Sequence, residues 1–190
     1  MRSINKNLRN GLTLNQLKNN EKYNWIVKDK KCQFKNLVLG KKDDILVVYG
    51  GKWRKGTWKI GIWEDGIWEA GTWNDGIWNN GFWNNGIWNN GIWKDGIWKD
   101  GIWEDGTWEN GTWRDGIWSM GVWNNGTWEK GLWMDGTWRN GIWKNGRWEN
   151  GKWRDGEWED GKWIDGIGKN KRKKVPYMTN IKTKSDIIKI

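Results

Sequence analysis

The reactive side chains that recur most regularly in this chain are carboxylates: Asp75, Asp95, Asp115, Asp135 and Asp155 stand twenty residues apart. Stacked at strand spacing, about 4.8 Å, such a row would be close enough to share a cation. Lys94, Arg114 and Arg154 sit beside three of them in the next column and can neutralise them. No metal site is therefore expected. Carboxylate pairs for glycoside cleavage can be drawn almost anywhere, so their spacing carries no signal. Histidine is absent, which removes the His-based triad, the usual general base and the commonest zinc ligand. Gly-x-x-x-x-Gly recurs, but no Gly-Lys-Ser/Thr follows, so there is no phosphate loop. The chain is read as a non-enzyme with no catalytic residue, cofactor, metal or small-molecule substrate.

Its 190 residues suffice for one domain with short appendages. The net charge of +10 is unevenly spread. Residues 1–50 carry 11 Lys/Arg against 4 Asp/Glu, residues 51–165 carry 14 against 18, and residues 166–190 carry 8 against 1. A mildly acidic body thus lies between two basic flanks, and any partner chosen by positive charge belongs to the flanks. Cys32 is alone, which excludes an internal disulfide. No apolar run is long enough for a transmembrane helix or a secretory signal, since Leu8, Leu12, Leu14 and Leu17 are interrupted by polar residues. Membrane contact is not expected, and the expected location is cytoplasm or virion.

What positions all these residues is a repeat. Tryptophan recurs every fifth residue from Trp53 to Trp163, 23 times without a miss, each with glycine two positions before it. Only Trp25 stands outside the register of Gly-x-Trp-x-x. The fifth position is Asp or Asn in 18 of the 23 units, always just before the next glycine, and Asx-Gly pairs tolerate the positive φ of tight turns. Side chains alternate along a straight strand, so a period of five requires a bend in every unit.

Two arrangements bend that often. An antiparallel meander with a hairpin turn at each Asx-Gly sets successive tryptophans opposite one another, as in designed tryptophan-zipper hairpins. However, its three-residue strands would present both ends to the same edge while serving opposite neighbours. A parallel β-solenoid makes all units equivalent. Cut every twenty residues, the chain aligns the aspartates above and the mostly acidic column Glu69, Asn89, Glu109, Glu129, Glu149, and this predicts a square coil of four units. About six coils then fit residues 51–168, roughly 29 Å of height.

The unit resembles the pentapeptide-repeat family, whose right-handed quadrilateral β-helix repeats a small residue, then Asx, then a large apolar residue. Here Gly and Trp replace the usual Ala or Cys and Leu or Phe, and Asx has moved to two positions after the large residue. The Gly-x-Trp-x-Asn-Gly string also resembles MORN repeats, which are hairpins. The resemblance implies an all-β solenoid over 51–168, with an antiparallel MORN-like sheet as the alternative. Family members that imitate DNA are poor analogues, because residues 51–165 sum to only −4.

Tolerance says which way the rings point. Position two accepts Ile, Thr, Phe, Val and Leu but also Lys52, Arg147, Lys152, Glu157 and Lys162, whereas the Gly and Trp positions never accept charge. Burying an indole removes on the order of 200 Å², worth about 5 kcal/mol. Ordering five residues costs about 7.5 kcal/mol. One unit alone therefore fails, and a stack succeeds by adding ladder bonds and contacts between neighbours. Backbone carbonyls or the Asx oxygens are the candidate acceptors for the indole N–H groups. Outward Ile77, Ile97 and Ile117 fall in one column of a square coil and form a candidate protein-contact stripe. The threonines are too scattered for an ice-binding row.

Residues 1–50 read as a basic cap, with a short helix over Leu12–Leu17 and strands at Tyr23–Val27, Cys32–Leu39 and Ile45–Tyr49. Residues 169–190 read as a basic tail, in which Lys169, Lys171, Arg172, Lys173 and Lys174 are candidate polyanion contacts and 177–190 could add a strand. The expected function is a structural scaffold or protein-interaction module, self-associating or bound to other proteins. Asn/Lys/Ile-rich usage points to an AT-rich genome, and a larger assembly such as a virus particle is a setting consistent with it. The alternatives are nucleic-acid or other polyanion binding through the flanks, and carbohydrate binding by exposed indoles. Inward rings predict blue-shifted tryptophan emission that resists soluble quenchers. Red-shifted, easily quenched emission would put the rings in solvent.

Overall fold

In a computed structural model the chain is described over residues 11–168. From Trp58 on, each unit contributes a two-residue strand made of position two and its tryptophan, such as Ile92–Trp93, and every one of these pairs in parallel. The all-β solenoid expectation holds, and the antiparallel meander does not form. The coil is smaller than expected. Ile92 pairs with Ile77 below and Thr107 above, so one turn takes fifteen residues and three units rather than twenty and four. Residues 51–168 make about eight coils, a rod of roughly 38 Å at strand spacing.

Filling explains the triangle. Successive indoles in the chain meet edge to face with centroids about 6.0 Å apart, as between Trp93 and Trp98. Four rings in a square with that spacing would be roughly 8.5 Å apart on the diagonal and leave an axial void, whereas three leave none.

Each corner is made by a glycine. Gly101 has φ +128°, and a Cβ there would lie 2.4 Å from the carbonyl oxygen of Gly86 in the coil below. The corner peptides of successive coils therefore lie too close together for any side chain. Ring room is a second reason for glycine: at Gly91 an added Cβ would also stand 3.2 Å from Cζ2 of Trp88. The residue before the corner satisfies an amide. Asp100 Oδ1 accepts from the Gly101 N–H at 2.7 Å, and Asp65, Asn85, Asp105 and Asn145 do the same. Between coils, the position-two N–H donates to a glycine carbonyl and the position-four N–H to a tryptophan carbonyl, as in Ile102→Gly86 at 2.9 Å and Glu104→Trp88 at 2.7 Å.

The N-terminal cap is continuous with the rod. Strand β1 (Gln33–Lys42) runs antiparallel to β2 (Ile45–Lys55) through a turn at Asp43 and Asp44, both with positive φ. The boundary expected at residue 50 falls inside β2, whose Val47 and Val48 pair with Ile62 and Trp63. Leu46-Val47-Val48 is thus a degenerate first unit, with buried Val48 in the tryptophan place. The expected short helix is α1 (Leu14–Lys18), started by a Thr13–Gln16 capping box. The strand expected at Tyr23–Val27 is instead a turn leading into α2 (Trp25–Lys28). Asn20 Oδ1 accepts from the Lys22 and Tyr23 amides, and adjacent Trp25 and Ile26 are both buried, which alternation along a strand does not allow.

The corner should be intolerant of any side chain. Gly101→Ala is expected to lower unfolding free energy by at least about 2 kcal/mol. Gly50→Ala, with no heavy atom within 4 Å of the new methyl, should stay within about 0.5 kcal/mol. Paired denaturant titrations measure both.

Candidate functional site

The dominant internal feature is three columns of stacked indoles. Trp93, Trp108 and Trp123 lie nearly parallel with centroids 4.8 Å apart, and Trp103 and Trp113 meet Trp108 edge-on at 6.0 and 6.1 Å. Both geometries suit the ring quadrupole. Every register tryptophan from Trp53 to Trp148 is fully buried, and Trp158 is 6% exposed. Trp163, on the last rung, is partly exposed, whereas the other register rings are turned inward. The first rungs are closed by the cap, where Phe34 stacks on Trp53 at 6.0 Å and Trp25 meets Trp58 edge-on at 5.3 Å.

Backbone carbonyls, not Asx side chains, accept the indole hydrogen bonds that form. Trp128, Trp133 and Trp148 donate Nε1–H to the carbonyls of Asn145, Asn150 and Asp165, each at 3.1 Å. Trp113, Trp123 and Trp138 carry their nitrogens to the equivalent glycine corners without completing the bond. Asx oxygens such as Asn145 Oδ1 and Asp165 Oδ1 are already engaged by glycine amides.

Outside, position two forms three columns fifteen residues apart. Ile77 shares a column with Ile62 and Ile92, Ile97 with Phe82 and Thr112, and Ile117 with Ile102 and Leu132. The expected stripe of Ile77, Ile97 and Ile117 is therefore distributed over three faces. Among the two-residue strands, Phe82, Ile87 and Ile92 are the most exposed aliphatic or aromatic residues, one on each face in successive units. The aspartate row is dispersed in the same way over three corners. Its members stabilise turns, and among the described residues no group of three His, Cys, Asp or Glu could hold a metal ion.

Charges meet across coils. Glu69 pairs with Lys52 at 3.0 Å and Arg54 at 3.2 Å, and this holds its carboxyl below the usual range, Lys52 contributing most. Lys130 bonds Asp115 at 3.0 Å and is raised by it. In the cap Lys41 and Lys22 both reach Asp44, at 2.9 and 3.5 Å, and the Asp44 carboxyl is lowered, chiefly by Lys41. No carboxylate, amine or guanidinium among the described residues is buried. Lys169, Lys171, Arg172, Lys173 and Lys174 lie outside the described residues, as does any strand within 177–190.

Sequence reasoning missed the cap lysines as a group. Lys28, Lys30, Lys31, Lys35, Lys55 and Lys59 are all exposed at one end of the rod. Their density was visible in the composition, but the end they share was not.

The arrangement defines a class: a repeat β-solenoid with a tryptophan every five residues and a core filled by stacked indoles. Comparisons of the chain with family models, curated proteins and solved structures return no match. No helix among the described residues is long and apolar enough to cross a membrane.

Removing one ring from mid-column should leave a cavity that rigid neighbours cannot fill. Trp108→Ala is expected to cost about 3–5 kcal/mol, read from chemical denaturation followed by far-ultraviolet circular dichroism.

Proposed function

We propose that the chain is a non-catalytic structural scaffold or protein-interaction module, a rigid rod that holds its ends apart within a larger assembly such as a virus particle. The observation that carries this reading is the uninterrupted indole core. Each coil repeats the same bonds and ring contacts on all three sides, from Trp68 stacked on Trp53 to Trp163 stacked on Trp148. A core so uniform gives length and stiffness and commits its side chains to packing. The exposed Phe82, Ile87 and Ile92, which wind once round the rod, support contact with protein partners or further copies at that level.

The likeness to pentapeptide repeats supports the scaffold reading through unit length and the small–x–large core pair. It departs from that family at the coil, which closes after three units here. Relationship to the family is therefore proposed at the level of the unit.

Native mass spectrometry of the full chain over a concentration series tests the association. A discrete oligomer weakened by Phe82→Lys is the expected result. A strict monomer at every concentration, unchanged by that substitution, would overturn self-association.

A further inference from the structure

Charge is segregated along the rod. Residues 11–60, the cap and first units, carry twelve Lys/Arg against four Asp/Glu, a net +8. Residues 61–168 carry ten against eighteen, a net −8. The solenoid places the first set at one end, because β2 is the lowest rung.

Within that end, part of the positive charge is already used. Lys22 and Lys41 bond Asp44, and Lys52 and Arg54 bond Glu69. Lys28, Lys30, Lys31, Lys35, Lys55 and Lys59 enter none of the ion pairs among the described residues. The fold draws them together from three segments. A tight turn, in which Asp29 accepts from the Lys31 and Cys32 amides, presents Lys30 and Lys31 directly after α2. Cys32 then packs against the Gly56 corner, and Lys55 is the strand partner of Gln33. Trp25 docks under Trp58, next to Lys59, and brings the end of α2 with Lys28 to the same edge.

We propose that this end face binds double-stranded nucleic acid end-on through its phosphate backbone, using Lys28, Lys30, Lys31, Lys35, Lys55 and Lys59. Phosphates are the ligand that a cluster of exposed ammonium groups holds best, and here six lysines outnumber Asp29, the one carboxylate in their turn. The acidic side walls repel the same ligand, so only the end can approach it. A duplex fits better than a single strand, because Tyr23, Trp25 and Phe34 of the cap are turned inward and Tyr49 alone among its described aromatics is exposed, one ring where a strand of stacked bases needs several. The backbone carrying these lysines is already ordered by the hairpin and the turn.

The test uses the full chain, random-sequence duplex DNA and fluorescence anisotropy over a range of salt. Wild type should bind at low salt and lose affinity linearly in log–log form. The variant Lys28→Gln/Lys30→Gln/Lys31→Gln/Lys35→Gln should bind at least about tenfold more weakly, with a salt slope shallower by about 2–4. These side chains are exposed, so its melting temperature should match wild type. Neutralising Lys169, Lys171, Arg172, Lys173 and Lys174 instead should leave most of the cap contribution in place. Absence of binding at low salt, or a cap variant indistinguishable from wild type, would overturn the proposal. Equal retention by polyglutamate would overturn the preference for nucleic acid.

Discussion

A backbone corner with no room for a side chain stands beneath everything else in this molecule. Where Gly101 turns, its missing Cβ would lie 2.4 Å from the Gly86 carbonyl, and the neighbouring coils repeat that contact at every corner. The close approach lets each coil lie flat on the one below. Flat stacking then sets the indoles at about 4.8 Å, the spacing at which rings and strand ladders match. Loosen the corner, and both the hydrogen bonds and the rings fall out of step.

From that corner follows an unusual division of labour. The inside is almost a single residue type, so internal shape is uniform along the rod. What distinguishes one region from another is confined to the outer columns and the two ends. Position two remains apolar or threonine from Ile62 to Ile142, then becomes Arg147, Lys152, Glu157 and Lys162 over the last units. Charged outward residues on terminal strands discourage edge-to-edge pairing with other chains. The cap meets the same need at the other end by covering the first rung with Phe34 and Trp25.

Much of this architecture was legible in the chain, and the misreadings share one cause. Strand parity excludes the meander, and the strands do pair in parallel, with the charge-intolerant Trp positions facing inward. The coil length was misjudged because like residues were aligned in columns. Stacked aspartates would repel at strand spacing, whereas opposite charges attract. Read every fifteen residues, the position-four residues place Arg54 under Glu69, Arg114 under Glu129 and Lys144 under Glu159, and the first pair is bonded in the structure. Lys99 under Arg114 and Arg139 under Arg154 carry like charges, so charge alone does not fix the coil length. The stripe of Ile77, Ile97 and Ile117 failed with the same assumption. Tyr23–Val27 failed for a local reason, since its β-like composition was overridden when Asn20 bonded the Lys22 and Tyr23 amides.

Composition and period alone determined the five-residue beat, the inward tryptophan, the glycine corner and the Asx before it, because each recurs at a fixed place in every unit and the charge-intolerant Trp and Gly positions mark the inside. Only the tertiary structure decided how many units close a coil. Identical units satisfy their local rules whatever that number is, and the choice depends on how many indoles fill the cross-section without a void. That number in turn sets which side chains become neighbours, and the winding it produces sends the unpaired cap lysines to one end of the rod.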